Sequence, residues 1–106
     1  MGILKLVMLE KVLIVDDSLV ARLSLKAILK GTGFDVSEAA SGEAASKMLE
    51  DGLEPCTVFL DLTMPGKGGL ETLRDIKSSF PDLPVVVVTA DIQTRTVEMV
   101  RGAGAV

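Results

Sequence analysis

Carboxylates follow two short apolar runs of this chain. Asp16 and Asp17 come directly after residues 12–15, and Asp61 comes directly after residues 58–60. Short β-branched and aliphatic runs are typical of buried strands, so the carboxylates lie where the chain leaves a sheet. If the two strands are parallel neighbours, the acids share one crevice and repel one another unless a cation or raised pKa values relieve them. The pattern therefore predicts a site for a hard divalent ion such as Mg2+, which prefers oxygen ligands.

Length and composition narrow the classes of function. With 106 residues there is room for one domain, and a net charge of -4 argues against binding to nucleic acid or to an anionic membrane. Histidine is absent and Cys56 is the only cysteine, which excludes a disulfide framework, a zinc site and a His-based catalytic triad. Residues 1–9 are apolar but too short to span a membrane, and they lack a cleavage signal. We therefore expect a cytoplasmic protein whose partners are proteins or small ions.

Helical and strand-like patterns alternate along the first half of the chain. The first strand is followed by a helix that Asp17 or Ser18 can cap and that stops near Gly31. The apolar stripe predicted for this helix consists of Ala21, Leu25, Ile28 and Leu29. A short edge strand around residues 34–36 then precedes a second helix that begins at residues 41–42.

The second half repeats the alternation. It predicts a strand at 58–60, a loop at 64–69, a helix at 70–77, a strand at 85–88 and a helix at roughly 93–101. In the last helix, Val97 and Val100 are expected to point inward. Such alternation predicts an α/β fold: a parallel sheet with right-handed crossovers and helices on both faces.

Six motifs in order resemble the receiver domain of bacterial two-component response regulators, and the resemblance covers residues 11–106. The motifs are Val15-Asp16-Asp17-Ser18, Gly33-Phe34 with residues 39–43, residues 60–66, Gly69-Leu70-Glu71, residues 84–90, and Ala103-Gly104-Ala105. The resemblance implies a doubly wound, flavodoxin-like sheet, with order 2-1-3-4 for the strands that this chain supplies. The site of that fold lies where the strand order reverses, between the first and third strands.

The resemblance also implies roles for individual residues. Asp61 is implied to accept a phosphoryl group from a histidine kinase, and Asp16 and Asp17 to hold Mg2+ together with Asp61. The backbone carbonyl of Thr63 would complete the protein ligands of the metal, and Thr89 would donate its hydroxyl to a phosphoryl oxygen. This is the chemistry of a signalling switch rather than of an enzyme.

The chain departs from the family pattern in its loops and at its ends. Gly68 stands where the family commonly has an acidic residue, so we expect a more mobile, less negative loop. The fifth strand, the fifth helix and a lysine that the resemblance implies would all follow Val106, and we expect phosphorylation to be impaired without that lysine. The expected division is a strand-like extension at 1–10 and an incomplete receiver domain at 11–106.

The predicted sheet leaves an edge open. Without a fifth strand, the four valines at 85–88 form an unpaired edge, and the face beside the first helix is partly bare. Residues 3–9 run almost directly into the first strand and cannot reach that edge within their own chain. We therefore predict a homo-oligomer, most simply a two-fold dimer, in which residues 3–9 pad the open edge or bare face of the partner. The alternative is a monomer with a frayed N-terminal tail.

Two other functions compete with the phosphoacceptor reading. One is a truncated or engineered receiver fragment that acts as an assembly or dimerisation module without phosphotransfer. The other is a haloacid-dehalogenase-type phosphatase, which also uses an aspartate nucleophile after a strand. That class needs a second aspartate two residues later as general acid, and Thr63 occupies this position, so we reject it.

Overall fold

The computed structural model describes residues 10–64, 68–88 and 94–106. In this part of the chain a parallel sheet of four strands has the order β2-β1-β3-β4. The strands are β1 (Lys11–Val15), β2 (Asp35–Ala39), β3 (Thr57–Asp61) and β4 (Val85–Val88). The helices are α1 (Leu19–Leu29), α2 (Gly42–Glu50), α3 (Gly69–Ser79) and α4 (Thr94–Gly102), with a short 3-10 turn at Lys30–Thr32. The predicted α/β fold and strand order are confirmed.

The register of the central strands decides where the candidate site lies. Val15 of β1 pairs with Leu60 of β3, and Asp61 pairs with Val88 of β4. Because these strands are parallel, their carboxyl ends meet at one edge of the sheet. The chain therefore leaves β1 and β3 side by side, directly before Asp16 and at Asp61.

Helices cover both faces of the sheet, and each face has its own core. One core is built around α2 and α3, and Val100 of α4 packs against it, as predicted. Its buried members are Leu13, Val15, Ala39, Ala45, Leu49, Val58, Leu60, Met64, Leu73, Ile76 and Val85. The other core lies beneath α1 and contains Val12, Ile14 and Leu29, with Leu25 and Val36 packed against it. Alternate residues of β1 thus enter opposite cores, as the pleat of a strand requires.

Local signals in the sequence set the helix boundaries. The hydroxyl of Ser18 accepts the amide of Ala21 at 3.2 Å, and the hydroxyl of Ser41 accepts the amide of Ala44 at 3.0 Å. Each serine satisfies one of the amides that a first helical turn leaves unpaired. Of the two cap candidates for α1, Ser18 is the one that caps. Gly33, with φ 81°, ends the turn after α1 in a left-handed conformation that favours glycine.

The predicted apolar stripe of α1 is wrong at one position. Ile28 is 74% exposed, whereas Leu29 is buried. At 3.6 residues per turn, Leu25 and Leu29 form the centre of the stripe, and Ile28 lies on its outer flank. In the part of the chain that the structure describes, the core beneath α1 does not reach that flank.

The outer edge of β4 carries one hydrogen bond from the end of the chain. The amide of Val106 donates to the carbonyl of Val85 at 3.0 Å. Residues 1–9 lie outside the described residues, so the predicted dimer through residues 3–9 stays a prediction. Within the described ranges, no helix is long and apolar enough to cross a membrane.

Candidate functional site

The three predicted carboxylates lie together at the carboxyl edge of the sheet. Asp16, Asp17 and Asp61 each offer an oxygen, and these oxygens lie within 4.8 Å of one another. Asp16 and Asp61 are half-buried and Asp17 is exposed. The convergence that the sequence predicts from parallel neighbouring strands is therefore present in the fold.

The turn from β1 into α1 fixes Asp16 through its backbone and its side chain. The amide of Asp16 donates to the carbonyl of Ala39 at 3.1 Å, which extends the pairing of β1 with β2 by one residue. One carboxylate oxygen of Asp16 accepts the amide of Ser18 at 2.9 Å. An aspartate that accepts the amide two residues later stabilises a tight turn. The order Asp-Asp-Ser therefore builds both the turn and the helix cap.

The opposite wall of the site comes from the segment after β3. Thr63 donates to the Asp61 carboxylate from its amide at 3.2 Å and from its hydroxyl at 3.0 and 3.1 Å. Gly69 begins α3 directly against the backbone of Asp61 and Leu62, where a β-carbon would overlap the Leu62 Cα and the Asp61 carbonyl oxygen. A glycine is therefore required for α3 to approach Asp61 this closely.

Electrostatics distinguish Asp16 from an ordinary surface aspartate. Its pKa is raised, mainly because burial disfavours the charged form, and the nearby Asp61 and Asp17 carboxylates add to the rise. The Ser18 amide and the more distant charge of Arg22 oppose it. Burial together with like charges raises a carboxyl pKa, and the attraction of a bound cation offsets both effects. The donor set, carboxylate oxygens in a partly buried cleft, fits a hard divalent cation such as Mg2+.

The outcome for the predicted site residues is mixed. The fold brings together Asp16, Asp17 and Asp61, and Thr63 contacts Asp61 through its amide and hydroxyl. The ligand role of the Thr63 carbonyl stays a prediction. Thr89 lies outside the described residues, so its role also stays a prediction.

Sequence reasoning missed Arg22 and Glu38, which lie beside the site. Arg22 donates to the backbone carbonyl of Asp16 at 2.6 Å and to the Glu38 carboxylate at 3.0 Å. A signal was present, because Val36 and Glu38 are two residues apart on β2 and share a face. Since Val36 packs in the core beneath α1, Glu38 has to face α1 as well. Arg22 follows the cap Ser18 by one helical turn, and it and Lys26 are two cations of α1 that reach Glu38.

Comparison with known proteins gives the family. A family model described as the response regulator receiver domain matches residues 12–106. The match covers most of the chain, and the fold and the acidic cluster agree with it. The chain belongs to the receiver-domain family of response regulators, the signalling domains of two-component systems.

The chain is also similar to individual known proteins. Protein CcdB of Bacillus subtilis (strain 168) is 38% identical over 90 residues, 84% of this chain and 74% of CcdB. The transcriptional regulatory protein YdfI of the same strain is 40% identical over 83 residues, and the chain spans only 38% of its length. In the crystal structure of the CheX-CheY-BeF3-Mg2+ complex from Borrelia burgdorferi, the similar chain is 32% identical with a TM-score of 0.84. That match covers 91% of this chain and 73% of the other.

Proposed function

We propose that the chain is a phosphoacceptor receiver in which Asp61 takes a phosphoryl group from a phosphohistidine of a histidine kinase. The observation that carries the proposal is the convergence of Asp16, Asp17 and Asp61 within 4.8 Å at the end of β1 and β3. A similar chain from a complex that contains BeF3 and Mg2+ supports the same reading.

The proposed transfer uses the Asp61 carboxylate as the nucleophile. One carboxylate oxygen attacks phosphorus, the bond from phosphorus to the histidine nitrogen breaks, and its electron pair returns to the imidazole. The product is an acyl phosphate on Asp61 and a free histidine on the kinase. Thr63 holds the carboxylate in place through its amide and hydroxyl before transfer.

Asp16, Asp17 and Asp61 would hold Mg2+, with the Thr63 carbonyl as a further ligand. When bound, the ion neutralises negative charge on the transferred phosphoryl oxygens. We assign to Thr89 the role of a hydrogen-bond donor to one of those oxygens. In this proposal residues 11–106 act as a cytoplasmic signalling switch, not as an enzyme.

We keep the homodimer as a second part of the proposal. The observation that favours it is a group of three exposed large apolar side chains at the start of α1, namely Leu19, Val20 and Leu23, which helical spacing places on one side of the helix. Exposed apolar groups that lie together commonly mark interaction surfaces. Light scattering at tens of micromolar, with and without residues 2–9, tests the arrangement. A monomer, or a dimer that survives the deletion, contradicts it.

Acetyl phosphate tests the phosphoacceptor role without the unknown kinase. Intact-mass detection should show one added phosphoryl group on the parent chain in the presence of Mg2+. No adduct should form when EDTA replaces Mg2+ during the incubation. None should form in Asp61→Asn either, because asparagine keeps the shape of the side chain but lacks the nucleophilic charge. An adduct that survives in Asp61→Asn contradicts the assignment.

A further inference from the structure

Arg22 connects the candidate site to the neighbouring strand β2. Its Nη1 donates to the backbone carbonyl of Asp16 at 2.6 Å, and its Nε donates to the Glu38 carboxylate at 3.0 Å. The Arg22 side chain is only 14% exposed. A guanidinium holds two acceptors at once in a rigid fork, whereas a lysine ammonium is a single point charge on a flexible stem.

The carbonyl that Arg22 contacts belongs to the peptide unit between Asp16 and Asp17. A peptide unit is planar, so a hydrogen bond to its oxygen fixes the direction in which the chain continues to Asp17. On the other side, the Asp16 amide is held by the carbonyl of Ala39 at 3.1 Å. The backbone is thus anchored before and after the Asp16 Cα, and both anchors involve β2.

We propose that Arg22 is a positioning residue for the candidate metal site. By fixing the peptide between Asp16 and Asp17, it holds both carboxylates toward Asp61. The inference rests on the proposed function, because it concerns the same site. Arg22 itself donates to a backbone oxygen and to Glu38, so it does not compete with a cation for the carboxylates of the site.

Charge alone predicts the opposite effect of removing Arg22. Loss of a positive charge beside three carboxylates strengthens their attraction for a divalent cation. If Arg22 acted only through its charge, Arg22→Gln would bind metal more tightly. If Arg22 positions the carboxylates, Arg22→Gln should instead bind metal more weakly. The direction of the change in affinity therefore separates the two explanations.

Lys26 provides a matched control. It lies one turn after Arg22 on α1 and donates to the other oxygen of Glu38 at 3.1 Å. Arg22→Gln and Lys26→Gln each remove one positive charge and one ion pair with Glu38. Of the two, Arg22 is the residue that donates to the Asp16 carbonyl.

The experiment measures the affinity of the full chain for Mn2+, used as the probe ion, through the EPR signal of the free ion. The chain contains no Trp or Tyr, which rules out intrinsic fluorescence from those residues as the readout. We expect Arg22→Gln to bind about tenfold more weakly than the parent, in the range found when partners that orient metal ligands are removed. Lys26→Gln should stay within about twofold of the parent. Arg22→Lys keeps the charge and should restore binding in part.

Two results overturn the inference. One is Arg22→Gln binding Mn2+ as tightly as the parent or more tightly, and the other is an equal loss in Lys26→Gln. If Arg22→Gln fails to fold in a thermal melt, Arg22→Lys takes its place, and parent-like affinity there overturns the inference. If the parent chain binds no Mn2+, the proposed function is wrong as well. Failure of the positioning role alone leaves Mn2+ binding by the parent chain intact, so the two failures can be distinguished.

Discussion

Glu38 lies on β2, Asp16 directly follows the neighbouring strand β1, and both meet the same arginine, yet their carboxyl pKa values are shifted in opposite directions. Glu38 accepts hydrogen bonds from Lys26 and Arg22, and these cations, Lys26 first, hold its pKa below the ordinary value although partial burial opposes them. The pKa of Asp16 is raised, chiefly by burial and then by Asp61 and Asp17. The same two influences, burial and neighbouring charge, therefore combine differently at the two positions.

Burial is the chief cause at Asp16 and the Lys26 hydrogen bond is the chief cause at Glu38, and the contacts of Arg22 add to the contrast. Arg22 donates to the backbone carbonyl of Asp16, whereas at Glu38 it donates to the carboxylate. Its side chain forms an ion pair with Glu38, and its charge lowers the pKa of Asp16 less than burial and the neighbouring carboxylates raise it. The Glu38 region is electrostatically complete within the chain. In the proposed function a bound cation completes the cluster around Asp16, whereas Glu38 has its partners within the chain.

The largest contrast between the two regions should appear in metal binding. Asp16→Ala and Asp17→Ala each remove a proposed metal ligand. Loss of a residue that only orients a ligand typically lowers metal affinity by about 10- to 100-fold, so we expect the affinity for Mg2+ to fall by at least about that much. Glu38→Gln should change it by about threefold at most. The rise in melting temperature with added Mg2+ reports affinity, because a ligand that binds only the folded state stabilises it. An equal Mg2+ response in Asp17→Ala and Glu38→Gln would remove the distinction between the regions.

The close approach of α3 to Asp61 gives a second test, which concerns the acidic cluster and not the Glu38 region. Gly69→Ala should destabilise the fold by about 1–3 kcal/mol, because the added methyl group overlaps backbone atoms of Asp61 and Leu62 that cannot rotate away. Gly31→Ala is the control, since a β-carbon there meets nothing within 4 Å. Urea unfolding measures both variants. If Gly69→Ala is as stable as Gly31→Ala, the packing described for the Asp61 wall is wrong.

Neutralising Asp16 and neutralising Glu38 should change the stability of the fold in opposite directions. In metal-free protein at neutral pH, Asp16→Asn should raise the melting temperature by a few degrees, because it removes a half-buried charge and its repulsion from two neighbours. Glu38→Gln should lower stability by about 0.5–1 kcal/mol, the scale of partly exposed ion pairs. Thermal melts with EDTA present compare the two. The account is wrong here if both variants shift the melting temperature in the same direction.

The pH dependence of stability sharpens this contrast. Folded Asp16 binds its proton more tightly than the unfolded chain does, so its contribution makes stability fall as pH rises between the ordinary aspartate pKa and the raised value. Folded Glu38 binds its proton more weakly, so the stability it contributes is present above the ordinary glutamate pKa and is lost as pH falls through the lowered value. In thermal melts across this acidic range, Asp16→Asn should lose the fall in stability with rising pH. Glu38→Gln should lose the fall in stability with decreasing pH. Parent-like slopes in both variants would contradict the assignment.

The sequence predicts the acidic cluster better than it predicts the contacts that support it. Strand runs that end in Asp16, Asp17 and Asp61 are local patterns, and parallel order alone brings their ends together. The contact of Arg22 with Glu38 joins residues 16 positions apart and depends on the packing of α1 over β2. The exposure of Ile28 likewise depends on how far the core beneath α1 extends. The spacing of Val36 and Glu38 indicates which face of β2 Glu38 occupies, but the packing of α1 over that face has no local signature in the chain.

The central claim is that Asp61 is the phosphoryl acceptor of a metal-binding acidic cluster. Borohydride reduces an aspartyl phosphate to homoserine, so treatment after incubation with acetyl phosphate and Mg2+ marks the acceptor permanently. Peptide mapping should then find homoserine at position 61, and none in a sample that contained EDTA instead of Mg2+. Homoserine at position 16 or 17, or equal labelling at position 61 without Mg2+, would contradict the account.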